Sequence, residues 1–234
     1  MARIRRVVTT RAGGSSAPPY DTFNLSRSSD DDQAAVAANR ARLSESIGLA
    51  ESRLAWMRQV HGASVHRVTA ATIDRVPTGD GLVTTEPGVA LIALAADCVP
   101  ILMADATAGV VGAAHAGRLG AAAGIAMATL EAMVGLGADP ARTDVLLGPA
   151  ICGECYEVPA AMRDDVDAAL PGSRTTTRDG APGLDLRAGL VRQLRAAGVG
   201  TVVADPACTM EDDRFFSYRR DGVTGRFAGV VWLQ

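Results

Sequence analysis

The sequence predicts an α+β fold, a single domain over residues 1–234 in which mixed β-sheets are flanked by helices. Three observations carry this expectation. Apolar residues make up 48% of a 234-residue chain, enough for one large core. Strand-like and helix-like segments are interspersed without the regular alternation of a parallel βα protein. No repeat period is visible, and no linker divides the chain.

The elements follow in order. Residues 4 to 9 read as a strand, and the next stretch, "RAGGSSAPPYDTFNLS", is too rich in Gly, Ser and Pro to pack regularly, so it lies on the surface or across a site. "DDDQAAVAANRARLSESIGL" reads as a helix, with Asp near its start, Val36, Leu43 and Ile47 on an approximate apolar stripe, and Gly48 beyond. "LAWMRQVHG" and "SVHRVTA" read as short strands joined at Gly62. "VALIALAADCVPILMAD" and "GVVGAAHAG" read as buried strands separated by the turn "DATAG". "LGAAAGIAMATLEAMVGLG" reads as one helix closed by Gly. After "DVLLGPAICGECYEV" come the helical segments "PAAMRDDVDAAL" and "LDLRAGLVRQLRAAGV", the strand "TVVA", and a tail whose end, "RFAGVVWL", is a strand.

A formal charge of -3 gives no basic excess, which argues against nucleic acid and anionic membranes and for small molecules as partners. The basic opening "MARIRRVVTTRAGG" is followed by no apolar run of signal length, and the later apolar stretches break before membrane-spanning length, so the expected location is the cytoplasm. Four cysteines are too few and too scattered for a disulfide framework in a chain this long. Thiols or metal ligands are the expectation.

Cys98 and His115 stand in otherwise apolar surroundings. If the hairpin turns on "DATAG" with Ala104 opposite Gly109, paired residue numbers sum to 213, and Cys98 opposes His115. Opposed side chains have Cβ atoms about 4.5 to 5.5 Å apart, a spacing that suits two ligands of one ion. The competing reading is that Pro100 ends the ladder before Cys98 and that the pair is ordinary core. His61, before Gly62 at the end of a strand-like run, is a third candidate; His66, inside the next run, reads as a surface residue. Three ligands of Cys and His type with a free fourth position describe a catalytic rather than a structural zinc.

At these residues the chain resembles the laccase-domain family, also described as multi-copper polyphenol oxidoreductases, peptidoglycan editing factors and purine nucleoside phosphorylase-like proteins. "TTRAGG", "FNLS", "VAANRARL", "RQVHG", "DGLVTTEPGVALIALAADCVPILMAD", "GVVGAAHAG", "GPAICGECYEV" and "FFSYRRDGVTGRFA" carry the likeness in order over nearly the whole length. The resemblance implies a layered α/β/β/α-like sandwich and one zinc held by His61, Cys98 and His115, which also form the catalytic centre. It implies phosphorolysis of adenosine, inosine or methylthioadenosine, together with deamination of adenosine. The block after the third ligand departs from the family's H-A-G-W-R-G: here it is "HAGRLG", with Arg118 in the aromatic position and Leu119 in the basic one. Arg118 is therefore a candidate for the phosphate or sugar, and Arg40 of the "NR" block for the substrate anion.

Other residues carry weaker signals. Asn39 and Arg40 are helix-surface residues by pattern. Cys152 and Cys155 form a lone C-x-x-C without a second pair or a thioredoxin-like context, so packing is the expected role for them and for Cys208; by resemblance Cys155 and Tyr156 are near the pocket. Asp97 should point away from Cys98 and act, if at all, as an orienting group. Arg219, Arg220 and Arg226 read as a solvated loop, and "GVTG" lacks the lysine and helix of a phosphate loop. Three alternatives stay open. Copper-dependent phenol oxidation uses similar ligands but needs more than three histidines for an oxygen-reducing cluster. A peptidoglycan-editing hydrolase would use Cys98 as nucleophile and His115 as base. A binding protein with a structural zinc would close the site with Cys152 or Cys155.

Overall fold

The computed structural model describes residues 2–234. In chain order its strands are β1 (Ile4–Val8), β2 (Leu54–Ala55), β3 (Val65–Arg67), β4 (Gly81–Thr84), β5 (Ala90–Ala95), β6 (Val99–Asp105), β7 (Val110–Ala116), β8 (Asp144–Leu147), β9 (Arg174–Thr176), β10 (Pro182–Leu184), β11 (Thr201–Ala204) and β12 (Phe227–Leu233). The helices are α1 (Gln33–Ile47), α2 (Arg118–Ala122), α3 (Ile125–Val134), α4 (Ala160–Ala169), α5 (Leu186–Ala196) and α6 (Tyr218–Asp221). A four-stranded sheet has the order β1-β12-β5-β2, a six-stranded sheet the order β11-β8-β6-β7-β4-β3, and β9 and β10 form a separate ribbon.

Side-chain alternation turns these sheets into layers. Leu91, Ala93, Val231 and Leu233 of the smaller sheet pack directly on Leu82, Leu102, Ala104 and Val111 of the larger one. The other face of the smaller sheet, with Ile92, Val230 and Trp232, is covered by Leu43 of α1 and by Phe23 and Leu25. The other face of the larger sheet, with Ile101 and Met103, is covered by Ile125, Leu130 and Met133 of α3 and by Leu190 and Leu194 of α5. The result is an α/β/β/α sandwich. Central strands are buried on both faces, which is why their sequences run apolar without alternation.

Several local expectations need correction. "VALIALAADCVPILMAD" is not one strand: β5 belongs to the smaller sheet and β6 to the larger, with a break at Ala96 to Cys98, where Asp97 adopts a positive φ of 86°. The two runs around Gly62 also separate, because β2 pairs with β5 in one sheet and β3 with β4 in the other. Past Ala55 the regular strand stops, and the Gln59 side-chain amide takes over the pairing with Leu94, donating to its carbonyl at 2.9 Å and accepting its N–H at 2.8 Å. The predicted Ala-rich helix splits into α2 and α3 at Gly124, whose φ of 85° interrupts the helical path.

The hairpin register also differs. Ala104 pairs with Val111 and His115 with Pro100, so paired numbers sum to 215 rather than 213. Asp105 stays in the ladder opposite Val110 because its carboxylate accepts the Thr107 and Ala108 amides and closes the turn from within. Helix α1 matches its caps: Asp32 accepts the Ala34 amide and Gly48 takes the left-handed conformation. Asn39 and Arg40 on that helix are buried, not surface residues. Asn39 donates to Ser16 Oγ and to the Thr22 and Asn24 carbonyls and accepts from the Ser15 amide, which ties the Gly/Ser/Pro-rich loop down. No helix among the described residues is long and apolar enough to cross a membrane.

Candidate metal centre

His61 and Cys98 lie at the two places where the chain passes from the smaller sheet to the larger, and His115 lies near the end of β7. The crossovers therefore bring together residues that no single strand could. His61 has a positive φ of 60°, held by one carboxylate: Asp80 accepts the amides of Val60, His61 and Gly62 at 3.2, 3.0 and 2.8 Å. The same Asp80 accepts from His115 Nδ1 at 2.9 Å. Burial pushes the Asp80 carboxyl up, and His115 with the amides outweighs it, so the group stays below the usual carboxylate range.

Cys98 precedes the first paired residue of β6, so it stands diagonal to His115 rather than opposite it. A shift of two residues preserves the face, and the side chains still meet. Cys98 Sγ lies 3.9 Å from His61 Nε2, the two imidazoles are edge to face with centroids 4.8 Å apart, and the donor atoms of His61, Cys98 and His115 all lie within 4.8 Å of one another. Burial opposes ionisation of Cys98, but His115 and His61 bring the thiol down to about 6. Burial likewise opposes the His115 cation, and Asp80 and Cys98 bring it up to about 9.

These residues fit a metal ion. Sulfur and imidazole nitrogen on one tetrahedral ion sit roughly 3.5 Å apart, close to the 3.9 Å seen between Cys98 and His61. With Asp80 on Nδ1, His115 keeps Nε2 for the ion, the orienting arrangement common to metal-binding histidines. Gly117 leaves room for this cluster, because a Cβ there would lie 2.5 Å from His61 Cδ2 and 3.0 Å from Cys98 Sγ and would force one of them to shift.

The three residues open on a cavity of about 550 Å³, within the range of small-molecule sites. Its walls include Leu94, Ala95, Ala96 and Ile151 on the apolar side, and Ser26, Ser28 and Ser29 from the N-terminal loop. Arg118, Arg219, Arg226, Tyr156 and Tyr218 also line it. Burial raises the Tyr156 hydroxyl above its ordinary value, against the opposing charge of Arg118. Arg219 lies 5.1 Å from the Tyr156 ring centroid and donates to the Glu157 carbonyl. Arg226 donates to Thr224 and Gly225 carbonyls, and burial lowers its pKa.

Most of the other candidates are elsewhere. Arg40 does not line the cavity: its guanidinium lies 3.5 Å from the Trp56 ring centroid, Nε donates to the Leu25 carbonyl, and burial lowers it to about 9. His66 bonds to the Thr78 carbonyl in edge strand β3. Cys152, Cys155 and Cys208 form a group of their own with Glu211, so they supply no fourth ligand to His61, Cys98 and His115. Asp97 lines the cavity beside Cys98, but its carboxylate is taken up by neighbours, accepting from Thr209 Oγ1 and from the Arg219 amide at 2.7 Å each, and so anchors the tail segment that carries Arg219. The sequence reading missed Asp80, whose only local mark is the flanking Gly79 and Gly81. It also took Arg219 and Arg226 for a solvated loop, whereas both line the cavity; Arg220 does not, and pairs with Asp221.

Known proteins agree with this architecture. A family model described as multi-copper polyphenol oxidoreductase laccase matches residues 5–234. A protein from Mycobacterium tuberculosis named purine nucleoside phosphorylase is 57% identical over 232 residues, covering 99% of this chain and 93% of its own. One of the same name from Streptomyces coelicolor is 51% identical, covering 96% and 93%. The crystal structure of YlmD from Geobacillus stearothermophilus superposes with a TM-score of 0.93 at 35% identity, covering 99% of this chain and 92% of the other. The chain belongs to the multi-copper polyphenol oxidoreductase laccase family, whose similar members include proteins named purine nucleoside phosphorylase.

Proposed function

We propose that the protein is a cytoplasmic enzyme that holds one zinc ion on His61, Cys98 and His115 and splits adenosine, inosine or methylthioadenosine with phosphate, and that it also deaminates adenosine to inosine at the same site. The observation that carries this reading is the shared cavity, lined by three residues with metal-type donors and by Arg118, Arg219 and Arg226. The names of the relatives support the reaction class.

Bound there, zinc supplies a Lewis acid beside the substrate. The chain's own residues supply binding and orientation. Arg118, with Arg219 and Arg226, offers positive charge to phosphate, where planar guanidinium groups match the anion's oxygens. Tyr156 and Tyr218 offer aromatic faces to the purine, and Leu94, Ala95 and Ile151 keep water from that wall. In phosphorolysis a phosphate oxygen bonds to the ribose carbon, the bond to the base nitrogen breaks, and the base leaves with a proton.

The two enzymatic alternatives have specific counterparts. Among the three histidines, His66 is committed to Thr78, which leaves material for one metal site rather than an oxygen-reducing cluster. The acidified Cys98 beside His115 also suits a nucleophile and base, and metal content separates that reading because a zinc-bound thiolate is not free to attack. The test combines metal analysis with chromatography of products from adenosine, with and without phosphate. Adenine formed only with phosphate supports phosphorolysis, and inosine formed without it supports deamination. No product from either, with copper bound and a phenol oxidised, overturns the proposal.

A further inference from the structure

A second cluster of metal-type donors lies outside the cavity. Cys152 and Cys155 belong to a turn in which the Cys155 and Tyr156 amides both donate to the Cys152 carbonyl, at 3.1 and 3.0 Å. Cys208 arrives from the tail segment through a bridge between Ala150 and Cys208, and Glu211 follows one turn later. The donor atoms of these four residues lie within 4.8 Å of one another.

Packing alone does not account for this grouping. The Cys152 amide donates to Cys208 Sγ at 3.3 Å, so a backbone donor already points at sulfur. Such donors stabilise thiolate charge. Arg178 donates to Glu211 Oε1 at 2.6 Å and to Glu154 at 2.9 Å, which fixes the carboxylate and leaves Glu211 a second oxygen. No helix begins at the C-x-x-C, since α4 starts only at Ala160, so the thiol activation typical of a redox C-x-x-C is missing. Three sulfurs and one oxygen suit a tetrahedral, thiophilic cation; calcium and magnesium prefer oxygen alone.

We propose that Cys152, Cys155, Cys208 and Glu211 form a second, structural metal site for a thiophilic divalent cation of the zinc type. Binding displaces the thiol protons to solvent, and the ion neutralises charge that the cluster resists carrying alone. The ion would join the segment carrying Ile151 and Tyr156 to the one carrying Arg219, so that it staples two walls of the cavity without facing it.

Zinc counted on the purified chain, after loading and gel filtration in a non-chelating reductant, tests this. About two ions per chain are expected in the wild type, and about one each in Cys98→Ser and Cys208→Ser. A single ion that disappears entirely in Cys98→Ser overturns the second site. So does a single ion combined with loss of two hydrogens in mass on exposure to air, which marks a redox pair instead. Cys208 is buried and its variant can lose the fold, so cobalt titration of Cys98→Ser provides a second reading. That variant has no sulfur at the first centre: near-ultraviolet sulfur-to-cobalt absorption supports the proposal, and its absence overturns it. The first centre's metal is read independently, as the ion retained in Cys208→Ser.

Discussion

The two clusters use similar side chains and are built in opposite ways. His61, Cys98 and His115 come from two sheet crossovers and a strand end, fixed by a fully buried Asp80 that holds three amides and an imidazole. Cys152, Cys155, Cys208 and Glu211 come from two loops, with Glu211 exposed and tied to a surface arginine. The first faces the cavity through Cys98 and the two histidines, and the second lies behind its wall. Donor chemistry alone therefore does not make a reaction centre; access to a substrate-sized space and a rigid support do.

The largest effect expected is at Cys98. Cys98→Ala should remove the ion from the first centre and lower turnover on the order of 10³-fold, since Lewis-acid stabilisation is worth several kcal/mol. Zinc retained with activity lost would move the first centre into the nucleophile reading. Asp80→Ala leaves buried amides and the His115 Nδ1 without an acceptor, which should cost about 3 kcal/mol in denaturant unfolding. An unchanged midpoint would mean that the crossover needs no such support.

Arg118→Ala should raise KM for phosphate about 30-fold while altering KM for nucleoside less, as expected for losing a charge-assisted bond worth about 2 kcal/mol. An equal rise for both substrates would place Arg118 on the nucleoside instead. Gly117→Ala pushes a methyl group toward His61 and Cys98, and should weaken zinc retention about tenfold in chelator competition. Retention as in the wild type would show that the crossover can shift. Cys208→Ser is the mildest for catalysis. Turnover should stay within about threefold of wild type while the thermal midpoint falls by a few degrees; turnover lost as fully as in Cys98→Ala would erase the distinction between the clusters.

How much of this was readable from residues varies with the range of the interaction. The caps of α1, Asp32 and Gly48, act within a turn of their own positions and are legible. So are the donor types of His61, Cys98 and His115. The hairpin register was not, because sums of 213 and 215 put the same residues on the same face, and only the Asp105 side chain closing its own turn decides between them. Asp80 escaped because its partners lie 18 to 35 residues away. Which tail arginines face the cavity depends on Asp97 holding the Arg219 amide, a contact across 122 residues.

The sequence by itself determined the material: enough apolar residues for a two-sheet core, strands and helices in nearly the right places, and a small set of metal-binding side chains. These follow from composition and from periodicity over a few residues. Tertiary structure alone decided that the chain changes sheets at His61 and again at Cys98, that one buried carboxylate serves both histidines, and that the remaining cysteines gather behind the cavity. Those outcomes depend on which sheet buries each apolar run, an energy shared over the whole core and carried by no local segment.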